Sequence, residues 1–336
     1  MSNSKKIFIT GGAGYCGSRL VPFLLEKGHI IKVYDIMHYG SDHLPRNNEN
    51  LEIIKGDIRD SDLIYKESKG YDIFVNLACI SNDASFVLDE KLSSTVNMEA
   101  FEPMVIAAKK AGIKRFIYAS TSSVYGVSKE KNVTETHPLV PLTLYNKFKG
   151  DCEPLLFKHT DEKFIGVAFR PATVCGYAPR LRLDLSVNIL TNHAVNNRKI
   201  LVFGGDQLRP NLYIQDYCEA VNTFIEAEEN KIQNEIFNVG YQNLSIKQIA
   251  ELVKKVVEEK TPQEKPIEIE YQKSDDNRSY HINSDKIKKV LNFAPQFSIE
   301  YAISELCEAF NNKLIPDSFD NDIYYNVRTL KKINAK

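Results

Sequence analysis

Tyr145 and Lys149 stand four residues apart, and on a helix that spacing puts a phenol and an ammonium on one face, about one turn apart. A cation so placed favours the phenolate, which makes the pair a device for moving a proton near neutral pH. Far upstream, Thr10-Gly11-Gly12-Ala13-Gly14-Tyr15-Cys16-Gly17 follows a short apolar run and opens a helical pattern. Gly11, Gly14 and Gly17 have the spacing that lets a backbone turn tightly and approach a pyrophosphate, with Tyr15 and Cys16 at the helix start. The next apolar run ends in Asp35, 18 residues past Gly17. A carboxylate there accepts both ribose hydroxyls of a dinucleotide and repels a 2′-phosphate, so the cofactor expected is NAD. Ile36 and Met37 bring no positive charge to reverse that preference.

Three further segments point the same way. Gly56-Asp57-Ile58-Arg59-Asp60 follows the third apolar run, where Asp57 can meet an adenine amino group while Ile58 covers the ring. Read in isolation, the same residues are a helix N-cap. Leu77 and Ala78 close the fourth run, and Thr121, Ser122 and Ser123 close the fifth in Ser120-Thr121-Ser122-Ser123-Val124-Tyr125-Gly126.

The elements that must position these residues follow from periodicity. Short β-branched runs at 6–10, 30–35, 51–55, 71–77, 115–120 and 164–170 alternate with helical patterns, the clearest at 16–27 and 92–111. This alternation predicts an α/β fold: a Rossmann-type doubly wound parallel sheet, helices on both faces, and ligands beyond the carboxyl ends of the strands. Past Arg170, Pro171, Gly176, Pro179, Gly204, Gly205 and Pro210 break the pattern, and a smaller C-terminal substrate-binding lobe is expected. The division predicted is 1–172 for the NAD-binding domain, rejoined by about 213–240, with 173–212 and 241–315 forming the second lobe. Helices are expected at 214–228, 245–260, 284–291 and 299–312 around a strand at 235–239. Residues 316–336 read as a polar, loosely packed tail. Pro22, Pro103 and Pro154 fall inside helical patterns, where each should kink a helix or mark its boundary.

Composition narrows the partners. The 336 residues suffice for a large core. Lys plus Arg (43) balance Asp plus Glu (44), so there is no basic field for nucleic acid or an anionic membrane. Six cysteines without a CxxC pair argue against a zinc site and a disulfide framework. No apolar run has the length of a signal peptide or membrane span, so a soluble, cytoplasmic protein is expected.

These motifs, in this order, resemble the extended short-chain dehydrogenase/reductase family in its NAD-dependent nucleotide-sugar epimerase, dehydratase and dehydrogenase branch, over nearly the whole chain. Glu153, eight residues past Tyr145, also matches. The resemblance implies Tyr145 as catalytic base, Lys149 as the residue that binds the nicotinamide ribose and depresses the Tyr145 pKa, and Thr121 as the hydrogen-bond partner of the reacting sugar hydroxyl, commonly at carbon 4. It implies a nucleotide-diphosphate sugar as substrate, clamped by Arg209 and Arg278, with Asn188 a further candidate. It also implies a homodimer joined by helices from the 92–111 and 145–158 regions. Thr173 and Cys175 stand where epimerases of the family often carry Asn and an aromatic residue, so contacts to the sugar or pyrophosphate differ there. The stretch Pro179-Arg180-Leu181-Arg182-Leu183-Asp184-Leu185 looks like a segment of GDP-heptose 4-dehydrogenases, whose arginines, Arg182 among them here, would help to bind the nucleotide.

The two residues after Thr121 narrow the reaction. The 4,6-dehydratases of the family place Asp-Glu there, a base and an acid for removing water, whereas Ser122 and Ser123 cannot do that work at ordinary pKa values. An epimerase acting through oxidation of the sugar is the expected activity. A 4-dehydrogenase that releases a keto sugar uses the same Tyr, Lys and Thr, and a non-catalytic NAD sensor on the same fold is a third reading. Ser81, Asn82 and Asp83, in the loop after the fourth strand, either face the sugar or belong to a solvated connection with an Asp helix cap.

Overall fold

The computed structural model describes residues 4–335 apart from 129, 131, 264 and 275–278. Its strands are β1 (Lys6–Thr10), β2 (Ile30–Asp35), β3 (Leu51–Lys55), β4 (Ile73–Asn76), β5 (Arg115–Ala119), β6 (Ile165–Pro171), β7 (Thr173–Cys175), β8 (Lys199–Phe203), β9 (Leu208–Tyr213), β10 (Glu235–Val239), β11 (Gln242–Ser245) and β12 (Glu268–Gln272). Alternate side chains of the central strands pack into separate apolar layers, as expected of a sheet covered on both faces. Ile7, Ile9, Val33, Val75, Ile117 and Val167 join one layer, while Phe8, Phe74, Phe116 and Ala168 join the other. Phe8, Phe74 and Phe116 stand side by side across β1, β4 and β5, with ring centroids 5.0 and 4.7 Å apart.

The large sheet runs β10-β6-β5-β4-β1-β2-β3, and every pairing in it is parallel. The chain travels outward from β1 to β3 and then returns to β4, on the other side of β1. That reversal opens a crevice at the carboxyl ends of β1 and β4. Gly11 sits at the reversal with φ +75°, and a Cβ there would lie 2.6 Å from the Ala78 backbone nitrogen, so only glycine fits between the two strand ends.

The remaining strands form two small sheets, β11-β9-β7 and β12-β8. They are flanked by helices Ser186–Asn197, Ile246–Lys260 and Ile299–Asn311. Val187, Val253 and Ile303 of these helices join the same apolar cluster as Ile9 and Val33, so one core runs from the large sheet into this region.

Three details differ from the sequence reading. The 92–111 pattern is not one helix but Glu90–Ser94, a π turn at Thr95–Glu99 and Phe101–Ala111. The extra residue of the π turn directs Asn97 inward, where its amide accepts from Ile80 N (2.8 Å) and donates to Ile80 O (2.9 Å), fixing the loop after β4. Pro103 lies in the first turn of Phe101–Ala111, where a missing N–H is tolerated. Helices Tyr15–Glu26 and Leu144–Phe157 run on past Pro22 and Pro154, held by their packed apolar faces.

The end of the chain is the third difference. Residues 316–335 are docked, not loose: Ser318 Oγ donates to Asn192 Oδ1 (2.7 Å), Tyr325 OH donates to Ser318 O (2.9 Å), and Tyr324 and Leu330 are buried. Their polar composition disguised this, because Ser, Asn and Thr make the contact through hydrogen bonds instead of an apolar stripe. Among the described residues no helix is long and apolar enough to cross a membrane, and no group of three or more His, Cys, Asp or Glu is placed to hold a metal.

Candidate active site

The helix Leu144–Phe157 begins at Thr143, whose hydroxyl accepts from Asn146 N (3.2 Å) and donates to Asp83 Oδ1 (2.6 Å). This cap ties the first turn of the helix to the loop after β4. Tyr145, Lys149 and Glu153 follow at four-residue spacing and form one stripe. Tyr145 is half-buried in the crevice wall. Lys149 is buried, its Nζ donating to Ala119 O (2.5 Å) at the end of β5 and lying 4.8 Å from the Tyr118 ring centroid. Glu153 accepts from Arg170 on β6 and from Ser120 Oγ (2.6 Å). The stripe therefore leads from the crevice back into the sheet.

Desolvation by the surrounding protein pushes the Tyr145 phenol well above the ordinary tyrosine pKa, and Cys79 adds to the rise. Of the opposing groups Arg182 is the strongest, followed by the Asn82 backbone amide. The family resemblance implies Lys149, together with the nicotinamide of bound NAD, for that tuning; in this structure the Lys149 ammonium donates to the Ala119 carbonyl. In the same crevice, Thr121 Oγ1 lies 2.9 Å from Ser123 Oγ, which donates to Asn146 Oδ1 (2.5 Å). The crevice thus holds a phenol and a hydroxyl chain of fixed geometry.

The other end fits an adenine dinucleotide. Gly14 caps helix Tyr15–Glu26 without a side-chain bond, leaving first-turn amides for a pyrophosphate. A Cβ on Gly17 would collide with the Gly12 carbonyl, so the turn cannot relax away from that close approach. The Asp35 carboxylate accepts from Ala13 N (3.0 Å) and Met37 N (2.7 Å), which fix it at the crevice edge. Burial raises its pKa, against the opposing pull of those amides and of Arg180. Asp57 opposes burial with the forked Arg59 guanidinium, which holds its carboxyl below the usual range, and its carbonyl accepts from Tyr34 OH (2.8 Å).

One crevice of about 540 Å³ gathers nearly all the expected residues. Gly11, Gly14, Tyr15, Cys16, Gly17, Asp35, Asp57, Ile58, Leu77 and Ala78 line it, together with Thr121, Ser123, Tyr145 and Lys149. Ser81, Asn82, Thr173, Arg182 and Arg209 complete that set. Tyr15 presents its ring only, because its hydroxyl donates to Gly176 O (2.7 Å). Asn82 uses its side chain to cap helix Asp83–Phe86, accepting from Ser85 N (2.8 Å), and holds φ +70°. Arg209 packs 5.5 Å from the Tyr280 ring centroid while donating to Leu208 O (2.9 Å).

Two expected residues do not reach the crevice. Ser122 is buried behind it, since the tight turn Ser122–Tyr125 aims Ser123 outward instead. Asn188 is fully buried and its amide is spent within the wall: Oδ1 accepts from Gly176 N (3.0 Å) and Nδ2 donates to Arg182 O (2.8 Å). It shapes the wall that carries Arg182. Arg278 lies outside the described residues.

Other residues enter without having been singled out. Asp184 Oδ1 accepts from Arg182 Nε (2.9 Å), and Asp184 Oδ2 accepts from Asn326 N (3.1 Å). Asn326 Nδ2 donates to Ser81 Oγ (2.9 Å), and Asn326 Oδ1 accepts from Arg180 (2.6 Å). Arg180 and Asp184 lay in a stretch already in view. Asn326 gave no local signal, being 245 residues from Ser81.

A dinucleotide cradle opening onto an enclosed phenol places the fold among the nicotinamide-dependent oxidoreductases. The chain belongs to the NAD dependent epimerase/dehydratase family, whose profile matches residues 7–240. It is 28% identical to the low-salt glycan biosynthesis protein Agl12 of Haloferax volcanii, covering 88% of this chain and 94% of that one. It is 29% identical to the dTDP-D-glucose 4,6-dehydratase of Mus musculus, covering 91% and 89%. The crystal structure of a UDP-glucose 4-epimerase from Thermotoga maritima, with UDP-glucose, superposes with a TM-score of 0.81 at 25% identity, covering 92% of this chain and 99% of that one. The protein is an enzyme of this NAD-dependent family, and NAD is its cofactor.

Proposed function

We propose that the protein is a nucleotide-sugar epimerase that oxidises its substrate at carbon 4 and reduces it again on the opposite face. The observation that carries this reading is the state of the acids lining the crevice. Asp35 is held by two backbone amides, Asp57 by Arg59, Asp83 by Thr143, and Asp184 by Arg182 and Asn326. Where elimination of water would need an acid and a base beside Thr121, Ser122 is turned away and Ser123 is bonded to Asn146. Oxidation and reduction are what the remaining groups can perform.

In this reading Tyr145 takes the proton of the 4-hydroxyl and later returns it. Thr121 hydrogen-bonds the same oxygen, steadied by Ser123 and Asn146. Arg182 and the Asn82 amide draw the phenol toward its charged form, and Lys149, at the end of β5, binds the nicotinamide ribose. NAD, when bound, supplies the acceptor and donor for the hydrogen on that carbon. Arg209 and Arg182 are suited to the diphosphate and sugar of the substrate because a guanidinium fork meets such oxygens in pairs. One nitrogen of Arg182, NH2, is buried without a partner among the described residues, which supports a ligand contact there.

A 4-dehydrogenase would use the same groups, and Thr173 in the crevice, in place of the Asn frequent in epimerases, is the observation that favours it. We read the enzyme as a cytoplasmic homodimer. Its six free cysteines suit a reducing compartment, and helices Phe101–Ala111 and Leu144–Phe157 pack together on one face of the sheet, where the family resemblance puts the dimer contact. The function is tested with UDP-, GDP-, dTDP- and CDP-sugars and NAD, following NADH absorbance and product NMR together. A changed sugar without net NADH supports the epimerase; accumulating NADH supports the dehydrogenase.

A further inference from the structure

Among the described residues, Arg180 is a buried cation with no carboxylate paired to it. Its side chain is 3% exposed, and its guanidinium carbon lies 3.6 Å from the Tyr39 ring centroid. NH2 donates to Asn326 Oδ1 at 2.6 Å, a neutral partner. Nε is buried with no hydrogen-bond partner among the described residues. The two carboxylates that act on it most, Asp184 and Asp35, are already engaged, the first by Arg182 and the Asn326 amide, the second by the Ala13 and Met37 amides. The other two buried arginines of this region differ: Arg170 has Glu153 and Arg182 has Asp184.

Taking a charge out of water with nothing to balance it is costly, and removal of a partner from a buried pair costs several kcal/mol. Desolvation shows in the lowered pKa of Arg180, about 10. Because Arg180 lines the crevice, the missing negative charge can come from what enters it. The Arg180 backbone is tied to one end of that crevice. Arg180 N donates to Ser18 Oγ (3.1 Å), in the first turn of helix Tyr15–Glu26, the turn whose uncapped amides await a pyrophosphate.

We propose that Arg180 is a ligand of the pyrophosphate of NAD, delivered across the crevice from the segment after β7 and positioned by Asn326 of the C-terminal helix. The glycine turn and helix amides hold the phosphates from one side, and the guanidinium closes on them from the other. The Asn326–Ser81 and Asn326–Arg180 bonds then make the last helix, Asn326–Lys332, a latch on the cofactor. The proposal rests on NAD as cofactor and not on the outcome at carbon 4.

The test is calorimetric titration of the full chain, Arg180→Met and Arg180→Lys with NAD, ADP-ribose, adenosine and UDP or GDP, together with melting of each ligand-free protein. Loss of a charged hydrogen bond predicts roughly tenfold to hundredfold weaker NAD and ADP-ribose binding in Arg180→Met, with adenosine unchanged and part of the loss recovered in Arg180→Lys. The ligand-free Arg180→Met protein should melt no lower than the parent, since an uncompensated buried charge has gone, while its stabilisation by NAD shrinks. Unchanged NAD affinity would overturn the proposal, as would equal loss for adenosine. A selective loss of nucleoside diphosphate binding would reassign Arg180 to the substrate, and a lower melting point of the ligand-free variant would make its role structural.

Discussion

Glu153 and Arg170 meet in a doubly bonded, buried ion pair, Arg170 Nε donating to Oε1 at 2.9 Å and NH2 to Oε2 at 2.6 Å. Arg170 also donates to Tyr125 OH (2.7 Å), and Ser120 donates to Oε1, so the pair joins the helix of Tyr145 and Lys149 to β5, β6 and the turn after Thr121. Glu153 was legible as a family match; its work is to hold the reactive face against the sheet.

Glu153→Ala leaves the Arg170 guanidinium buried and unpaired. Denaturant unfolding should show a loss of about 3–5 kcal/mol. A loss below about 1 kcal/mol would mean that the pair is not the brace described.

Tyr145→Phe removes the hydroxyl proposed as the proton acceptor and keeps the ring. The turnover rate should fall by roughly 10²–10⁴, while NAD affinity by calorimetry and the melting temperature stay near those of the parent. Full activity in a folded Tyr145→Phe protein would remove Tyr145 from the chemistry.

Arg182→Gln changes the pH profile in a defined direction. Burial keeps the Tyr145 phenol neutral, and the Arg182 cation opposes it. Without that cation the phenolate is less favoured, the Tyr145 pKa rises further, and the acid limb of the kcat profile moves to higher pH. Activity lost near neutrality should return in part in alkaline buffer. A profile that falls uniformly without moving would confine Arg182 to substrate binding.

Asp35→Ser removes the carboxylate proposed to select against a 2′-phosphate. NAD binding should weaken and NADP binding strengthen, each by roughly tenfold, in parallel titrations. Unaltered preference would show that Asp35 does not contact the adenosine ribose.

The parts legible in the sequence were those whose physics is local. Gly11, Gly14 and Gly17, and Tyr145 with Lys149, are marked by spacing within one short segment, Asp35 by its place at the end of the next strand, and alternation of runs was enough for the parallel sheet. Asn188 is a candidate only through the family resemblance, which does not reveal side-chain direction; its amide is consumed inside the wall. The π turn at Thr95–Glu99 was hidden because one extra residue barely disturbs a helical period. Asn326 and Arg180 were the least accessible, since their meaning comes from contacts 245 and 146 residues away in the chain and from hydrogen bonds that hydropathy does not register.

The central claim, oxidation at carbon 4 followed by return of the same hydrogen, is tested most directly with a nucleotide sugar from the panel carrying deuterium on carbon 4. Epimerisation by this route gives a product inverted at carbon 4 that keeps its deuterium, with no net NADH. A keto sugar accompanied by stoichiometric NADH, or a keto sugar that has lost water, would contradict it.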